Sequence, residues 1–216
     1  MADESAEREE LSTRQRILAE ASALFAKKGY HGTSTREIAG AVGIQQPSLF
    51  HHFDSKEAIM SDLIDLDLDE PLAVAEREAA AAGSPALRLF RYLAWDVEYL
   101  CRSPYHLPPV HLMLGDPVFA VAIERYGRLV DARESLIREA IEVGEFVEVD
   151  PSFAQHAIVW MIGGTVAEAD ELTAAEAREM ADRLASFAVR AMLRDPEQLE
   201  NVRAAAGLAD FDSPMS

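Results

Sequence analysis

The sequence predicts an all-α protein in which a small helix-turn-helix domain precedes a larger helical body. Three observations carry this expectation. The chain is 49% hydrophobic but only 7% aromatic, an Ala/Leu-rich composition biased toward helix. Apolar residues recur at spacings of three and four along most of its length. The pairs Ser34 with Glu37, Asp54 with Glu57 and Thr173 with Glu176 each have the spacing of a capping box ahead of such a run.

Several classes are excluded early. A single cysteine, Cys101, permits neither an intrachain disulfide nor a cysteine-based zinc site. No run of about 18 apolar residues exists to span a membrane. The first residues are acidic and lack an apolar core like that of a secretory signal, so a cytoplasmic protein is expected. The net charge of −18 is unevenly spread: residues 1–11 carry −4, residues 12–56 carry +3 and the remainder −17. A basic segment in an acidic chain suggests one face that meets phosphate. Random fluctuation produces the same imbalance, so charge alone decides nothing.

Residues 14–29 form the first expected helix, with Ile17, Ala21, Leu24 and Phe25 as its apolar stripe and Gly29 as its stop. After the turn-rich GYHGTS, Ser34 and Glu37 open a second helix over 35–42 that buries Ile38, Ala39 and Val42. Gly43 turns the chain, Ile44 fills the space beneath, and Leu49 plugs the interface from the third helix. Pro47 stands in that helix's first turn, where a missing N–H is tolerated. An ordinary αα-corner needs the same three features and stays open as an alternative. A fourth helix runs from Lys56 to about Ala82, with a kink or break expected at Pro71. Asp62, Asp65, Asp67, Asp69 and Glu70 give it an acidic outer face; a calcium loop would need a glycine that this run lacks.

At this point the chain resembles a known family. Thr35, Ile38, Ala39 and Gly43, followed by S-L-F-x-H-F-x-S-K-E over residues 48–57, are similar to the N-terminal domain of the TetR (tetracycline-repressor) transcription regulators. The likeness covers roughly residues 12–60. It implies a homodimer, a double-stranded DNA operator, a helical domain that binds a small-molecule effector, and repression as the mode of control. It also implies DNA contact at Thr35, Arg36, Gln46, Pro47, Phe50, His52 and Lys56. Phe50 departs from the family's usual tyrosine, and with it goes a hydroxyl that reaches phosphate.

The residues support such an interface by their own chemistry. Gln45 and Gln46 both donate and accept, and each can form a bidentate pair with adenine. Pro47 can meet a thymine methyl, and Ser48 can bond a phosphate or base edge. His51 and His52 close the helix near the backbone, while Thr35, Arg36 and Lys56 anchor phosphate. Phe50 could equally be core, and Phe53 is expected to be core. A metal between His51 and His52 is disfavoured because adjacent helical residues point apart. No catalytic residue, metal or cofactor is expected.

In the body, Ser84 and Pro85 cap a fifth helix through Arg102 that is apolar on two faces. Leu89, Phe90, Leu93, Val97 and Leu100 form one, and Tyr92, Trp95 and Tyr99 the other. The second face, with His106, His111 and Trp160, is the expected ligand site, ordinary core packing being the alternative. One short helix is expected within the proline-broken segment 103–117. A seventh helix over 117–143 should face inward through Phe119, Ile123, Tyr126, Val130, Ile137 and Ile141. An eighth from Pro151 contains Gly163-Gly164, a pair costing about 1 kcal/mol each against alanine, which points to close approach by another helix or a ligand. A ninth follows Thr173, with an Ala177, Met180, Ala181, Leu184, Ala188, Ala191 seam. The helices at 151–170 and 174–194 are the expected homodimer interface. A tail helix over 197–206 ends the ordered chain.

The expected domains are therefore 12–55 for DNA and 56–207 for ligand and dimer. An enzyme is the first rival, yet the chain has no G-x-S-x-G elbow, phosphate-binding glycine loop or H-E-x-x-H motif. A helical scaffold without DNA activity is the second.

Overall fold

The computed structural model describes residues 12–103, 105, 116, 119–167 and 172–207. Among these the chain is helical: α1 Thr13–Lys28, α2 Thr35–Val42, α3 Gln46–Phe50, α4 Lys56–Ala80, α5 Pro85–Arg102, α6 Ala120–Glu142, α7 Pro151–Ala167, α8 Ala174–Met192 and α9 Leu199–Ala206. Strand pairing among the described residues is limited to one isolated antiparallel bridge, Phe146 with Leu193. The short helix expected over 103–117 lies in a stretch of which only Ser103, Tyr105 and Asp116 are described.

Two compact units divide the chain. The first takes residues 1–70 and 104–125, the second residues 71–103 and 126–216. In the first, Ile17, Ala21, Phe25, Ile38, Ala39, Leu49 and Phe53 are buried and bring α1, α2 and α3 around one small core. Ser34 and Glu37 form the expected capping box, and the Lys28 ammonium donates to Glu37 at 2.7 Å. Hydrogen bonds from Lys28 and Ser34 hold the Glu37 carboxyl down to about 2. Gly43 adopts φ +79°, the left-handed conformation the turn requires.

The start of α4 differs from the expected Asp54–Glu57 box. Ser55 is the cap, its hydroxyl accepting from the Ala58 N–H at 3.1 Å. The helix begins one residue later than that box requires, which leaves Glu57 in the first turn. There its carboxylate bonds its own backbone N–H and the Ser55 hydroxyl, which hold it below its usual range. Nor does Pro71 break the helix: α4 runs on for 25 residues with Pro71 inside. One backbone hydrogen bond is forfeited, and burial of Leu68, Leu72, Val74 and Ala75 on both sides of the proline offsets it. The acidic face is partly paired rather than simply solvated: Arg14 reaches Asp62, and Arg125 bridges Asp65 and Asp69.

In the second unit α5 is the central helix, packed on α8, α9 and α7. Ser84 caps it as expected, and the Glu145 carboxylate accepts from the Ala86 N–H at 2.9 Å. Thr173 and Glu176 form the expected box on α8. The inward face of α6 is turned from its expected position. Phe119, Ala122, Leu129, Leu136, Ile137 and Ala140 are buried, whereas Ile123, Tyr126, Val130 and Ile141 are only half-buried. The buried stripe includes Arg133, a charge that an apolar count passes over. The alanine seam of α8 is also placed differently: Ala177, Ala181, Leu184 and Ala188 are buried within the chain, on the side packed against α5. Small residues let those two helices approach closely.

Candidate nucleic-acid interface and ligand site

The α2–α3 pair sets out the candidate DNA-reading surface. Leu49 is fully buried and pins α3 from below, while Gln45, Pro47, Ser48, His51 and His52 lie exposed. The Gln46 amide donates to the Thr35 hydroxyl at 3.0 Å, tying the first turn of α3 to the first turn of α2. Its carbonyl oxygen and second N–H are left for another partner. Phe50 is 43% exposed and so is not core, whereas Phe53 is buried beneath the Arg14 guanidinium, 4.4 Å from its ring centroid.

The positive charge of residues 12–56 is largely engaged within the domain. Arg14 pairs with Asp62, Arg16 donates to the Val42 carbonyl at 2.6 Å, and Lys28 pairs with Glu37. Lys56 donates to the carbonyls of Tyr30 and Thr33 at 2.8 and 2.9 Å, and its ammonium lies 4.1 Å from the Tyr30 ring centroid. Its first structural role is thus to hold the loop between α1 and α2. Lys27 and Arg36 are exposed and make no ion pair or hydrogen bond among the described residues. Tyr30, which sequence reasoning passed over, is the centre of this clasp, its ring packed tilted against Phe25 and edge-on to Phe119 at 5.4 and 5.5 Å. Burial, with Glu57 and Asp116 nearby, pushes its hydroxyl far above the ordinary tyrosine range. A tyrosine flanked by glycine and histidine in a turn carried no periodic signal.

The expected ligand residues are only partly brought together. Trp95 and Tyr99 stack at 4.9 Å, and Tyr92 is fully buried on the same helix. Trp160 instead stands 66% exposed on α7. His106 and His111 lie outside the described residues. Five polar residues that the sequence reading missed are buried in this unit: Glu78 and Arg88, which pair with Arg91 and Glu139, and Asp96 on α5, Arg133 on α6 and Gln155 on α7. The sequence signal of the last three is faint but present, since each occupies an inward position of an apolar stripe. Among the described residues no group of three or more His, Cys, Asp or Glu is placed to hold a metal, and no helix is long and apolar enough to cross a membrane.

A helix-turn-helix followed by a helical body is the arrangement in which the comparisons with known proteins find their matches. Residues 17–63 match the family described as bacterial regulatory proteins, tetR family. The HTH-type transcriptional repressor KstR2 of Rhodococcus jostii (strain RHA1) is 43% identical over 109 residues, which are 48% of this chain and 53% of that protein. The chain thus spans about half the length of this curated relative. The crystal structure of Mycobacterium smegmatis AmtR superposes with a TM-score of 0.65 at 27% identity, covering 91% of this chain and 94% of the other. KstR2 of Mycobacterium tuberculosis, at 21% identity, shares the fold with a TM-score of 0.69 over 85% and 96% of the two chains. Over residues 17–63 the chain is thus similar to the tetR family of bacterial regulatory proteins, and its full-length fold is similar to that of AmtR.

Proposed function

We propose that this protein is a cytoplasmic, ligand-responsive repressor that binds a near-palindromic operator as a homodimer and leaves it when a small molecule occupies the body. Residues 12–55 read DNA, and residues 56–207 hold the effector and the second copy. The observation that carries this reading is the surface of α3. Gln45, Gln46 and Ser48 stand on a short helix locked by buried Leu49 and the Gln46–Thr35 hydrogen bond, with Arg36 exposed beside it. Uncharged side chains that donate and accept are suited to base edges, and the nearby cation to phosphate. The similar protein of Rhodococcus jostii is a transcriptional repressor, which supports the same reading.

The second copy has a candidate seat. On α7, Phe153 and Trp160 are 69% and 66% exposed, and on α8 Phe187 is 65% exposed. Gly163 and Gly164 lie on the open side of α7, where an added Cβ would meet nothing within 4 Å among the described residues. The closeness that the glycine pair allows is therefore used by nothing within the described chain. Large aromatic side chains beside two glycines suit a helix-on-helix contact with a twofold mate. In this reading the interface uses the outward faces of α7 and α8, not the alanine seam turned toward α5.

A twofold-related pair of reading helices must enter major grooves one helical turn, or a multiple, apart. Selection of bound fragments from random DNA, followed by footprinting, should give an inverted repeat protected on both half-sites. An asymmetric site occupied by one protomer, or no selected site, would overturn the proposal.

A further inference from the structure

The interior of the second unit holds a charge without a mate. Arg133 is 4% exposed, yet among the described residues it makes no ion pair and no hydrogen bond, and its Nε is fully buried. Its guanidinium lies 5.9 Å from the Tyr92 ring centroid and 6.0 Å from that of Tyr126, aromatic faces that soften a buried cation without neutralising it. Asp96 is near enough to feel Arg133, but no ion pair joins them. Burial holds the Asp96 carboxyl above its usual range, with the Arg133 charge and a hydrogen bond from the Tyr92 hydroxyl opposing the shift. One further polar group of this unit is left without a partner among the described residues: both ends of the Gln155 amide, on the face of α7 that is buried with Ala154, Ile158 and Ile162. The helices α6 and α7 contribute Arg133 and Gln155; α5 contributes Tyr92 and Asp96.

Folded proteins seldom leave buried polar atoms unpaired, and a buried unpaired guanidinium is the costliest kind. A single ordered water satisfies an amide or a hydroxyl but leaves the charge. An anionic acceptor satisfies it, and the planar fork of arginine matches a carboxylate through two parallel hydrogen bonds.

From this we infer that the effector is an organic carboxylate: its head group pairs with Arg133, and its apolar body lies against the aromatic face of α5 that includes Tyr92. The inference rests on the regulatory reading above for the word effector, though not for the existence of the site.

The test uses the full-length protein and a probe panel of octanoate, 3-phenylpropionate and cyclohexanecarboxylate, each beside the alcohol and the amine of the same skeleton. Calorimetry and thermal unfolding are the readouts. At least one carboxylate should bind tenfold or more tighter than its alcohol and amine, and raise the unfolding midpoint accordingly. Arg133→Met should erase that preference, and Arg133→Lys should keep part of it. Asp96→Asn, which removes the competing negative charge, should bind the carboxylate at least as tightly as the wild type. A wild type with no carboxylate preference, an Arg133→Met protein that retains it, or an Asp96→Asn protein that loses it overturns the assignment. Binding to the selected DNA is read in parallel. Carboxylate binding that leaves DNA affinity unchanged upholds the site and overturns the regulatory reading. Release of DNA by the alcohols or amines, independent of Arg133, overturns the site and leaves regulation intact.

Discussion

At the scale of single residues, the candidate DNA surface separates side chains that hold the domain together from those left to meet another molecule. Lys56 was expected from sequence to anchor phosphate, but its hydrogen bonds to Tyr30 and Thr33 make it a clasp on the α1–α2 loop. Arg36 has no such tie. Lys56→Ala should therefore lower the unfolding midpoint and weaken binding to every DNA sequence alike. Arg36→Ala should leave the midpoint unchanged and reduce the slope of log affinity against log salt by about one. Gln46→Ala should relax base preference at one position in each half-site, costing about 1–3 kcal/mol for a lost bidentate pair. Binding measured across a salt series, with thermal unfolding of the same three variants, separates the roles. Equal salt slopes for wild type and Arg36→Ala would remove Arg36 from the anchoring set.

At the scale of helices, capping chemistry proved the most legible part of the chain. Ser34, Ser84 and Thr173 each cap the helix that their sequence context announces, because a cap is a local bargain between one side chain and the next three residues. Asp54 is the local exception, since Ser55 takes the cap of α4 in its place; the other failures were longer in range. Pro71 signals a break locally, yet packing along 25 residues carries α4 past it. The α8 alanine seam has the spacing of an interface, and spacing cannot say whether the mate is α5 or a second chain. Arg133, Asp96 and Gln155 escaped notice because inward-facing polar residues look like interruptions until the fold gathers them. The glycine pair of α7 was read as a site of close approach, and among the described residues nothing comes within 4 Å of a Cβ added there. Gly163→Ala with Gly164→Ala should raise intrinsic helix stability by up to about 1 kcal/mol per site. If a twofold mate packs there, the same change should weaken self-association at least tenfold in sedimentation experiments. Unchanged association with higher stability would show that the glycines serve no interface.

At the scale of the whole molecule, the net charge of −18 and the selective exposure of aromatics set what the protein can bind. In the proposed dimeric repressor, a chain this acidic gains little from non-specific attraction to DNA, so base-edge contacts and the doubling of half-sites must supply most of its discrimination. Doubling depends on the second copy. Trp160→Glu places a charge in the middle of the exposed α7 face, where burial without a partner is costly. The variant should sediment as a folded monomer at concentrations where the wild type is dimeric, and its protection of an inverted repeat should fall to that of isolated half-sites. A dimeric Trp160→Glu protein would place the interface elsewhere.

The two tryptophans have very different surroundings. Trp95 is buried and stacked on Tyr99, and Trp160 is open to solvent in the single chain. Their indoles therefore emit from environments of opposite polarity, and a phenylalanine at either position leaves the other as the sole emitter. The chain thus carries two native optical channels, one in its interior and one on its aromatic face, so events at the two places can be followed separately, in real time and without a label.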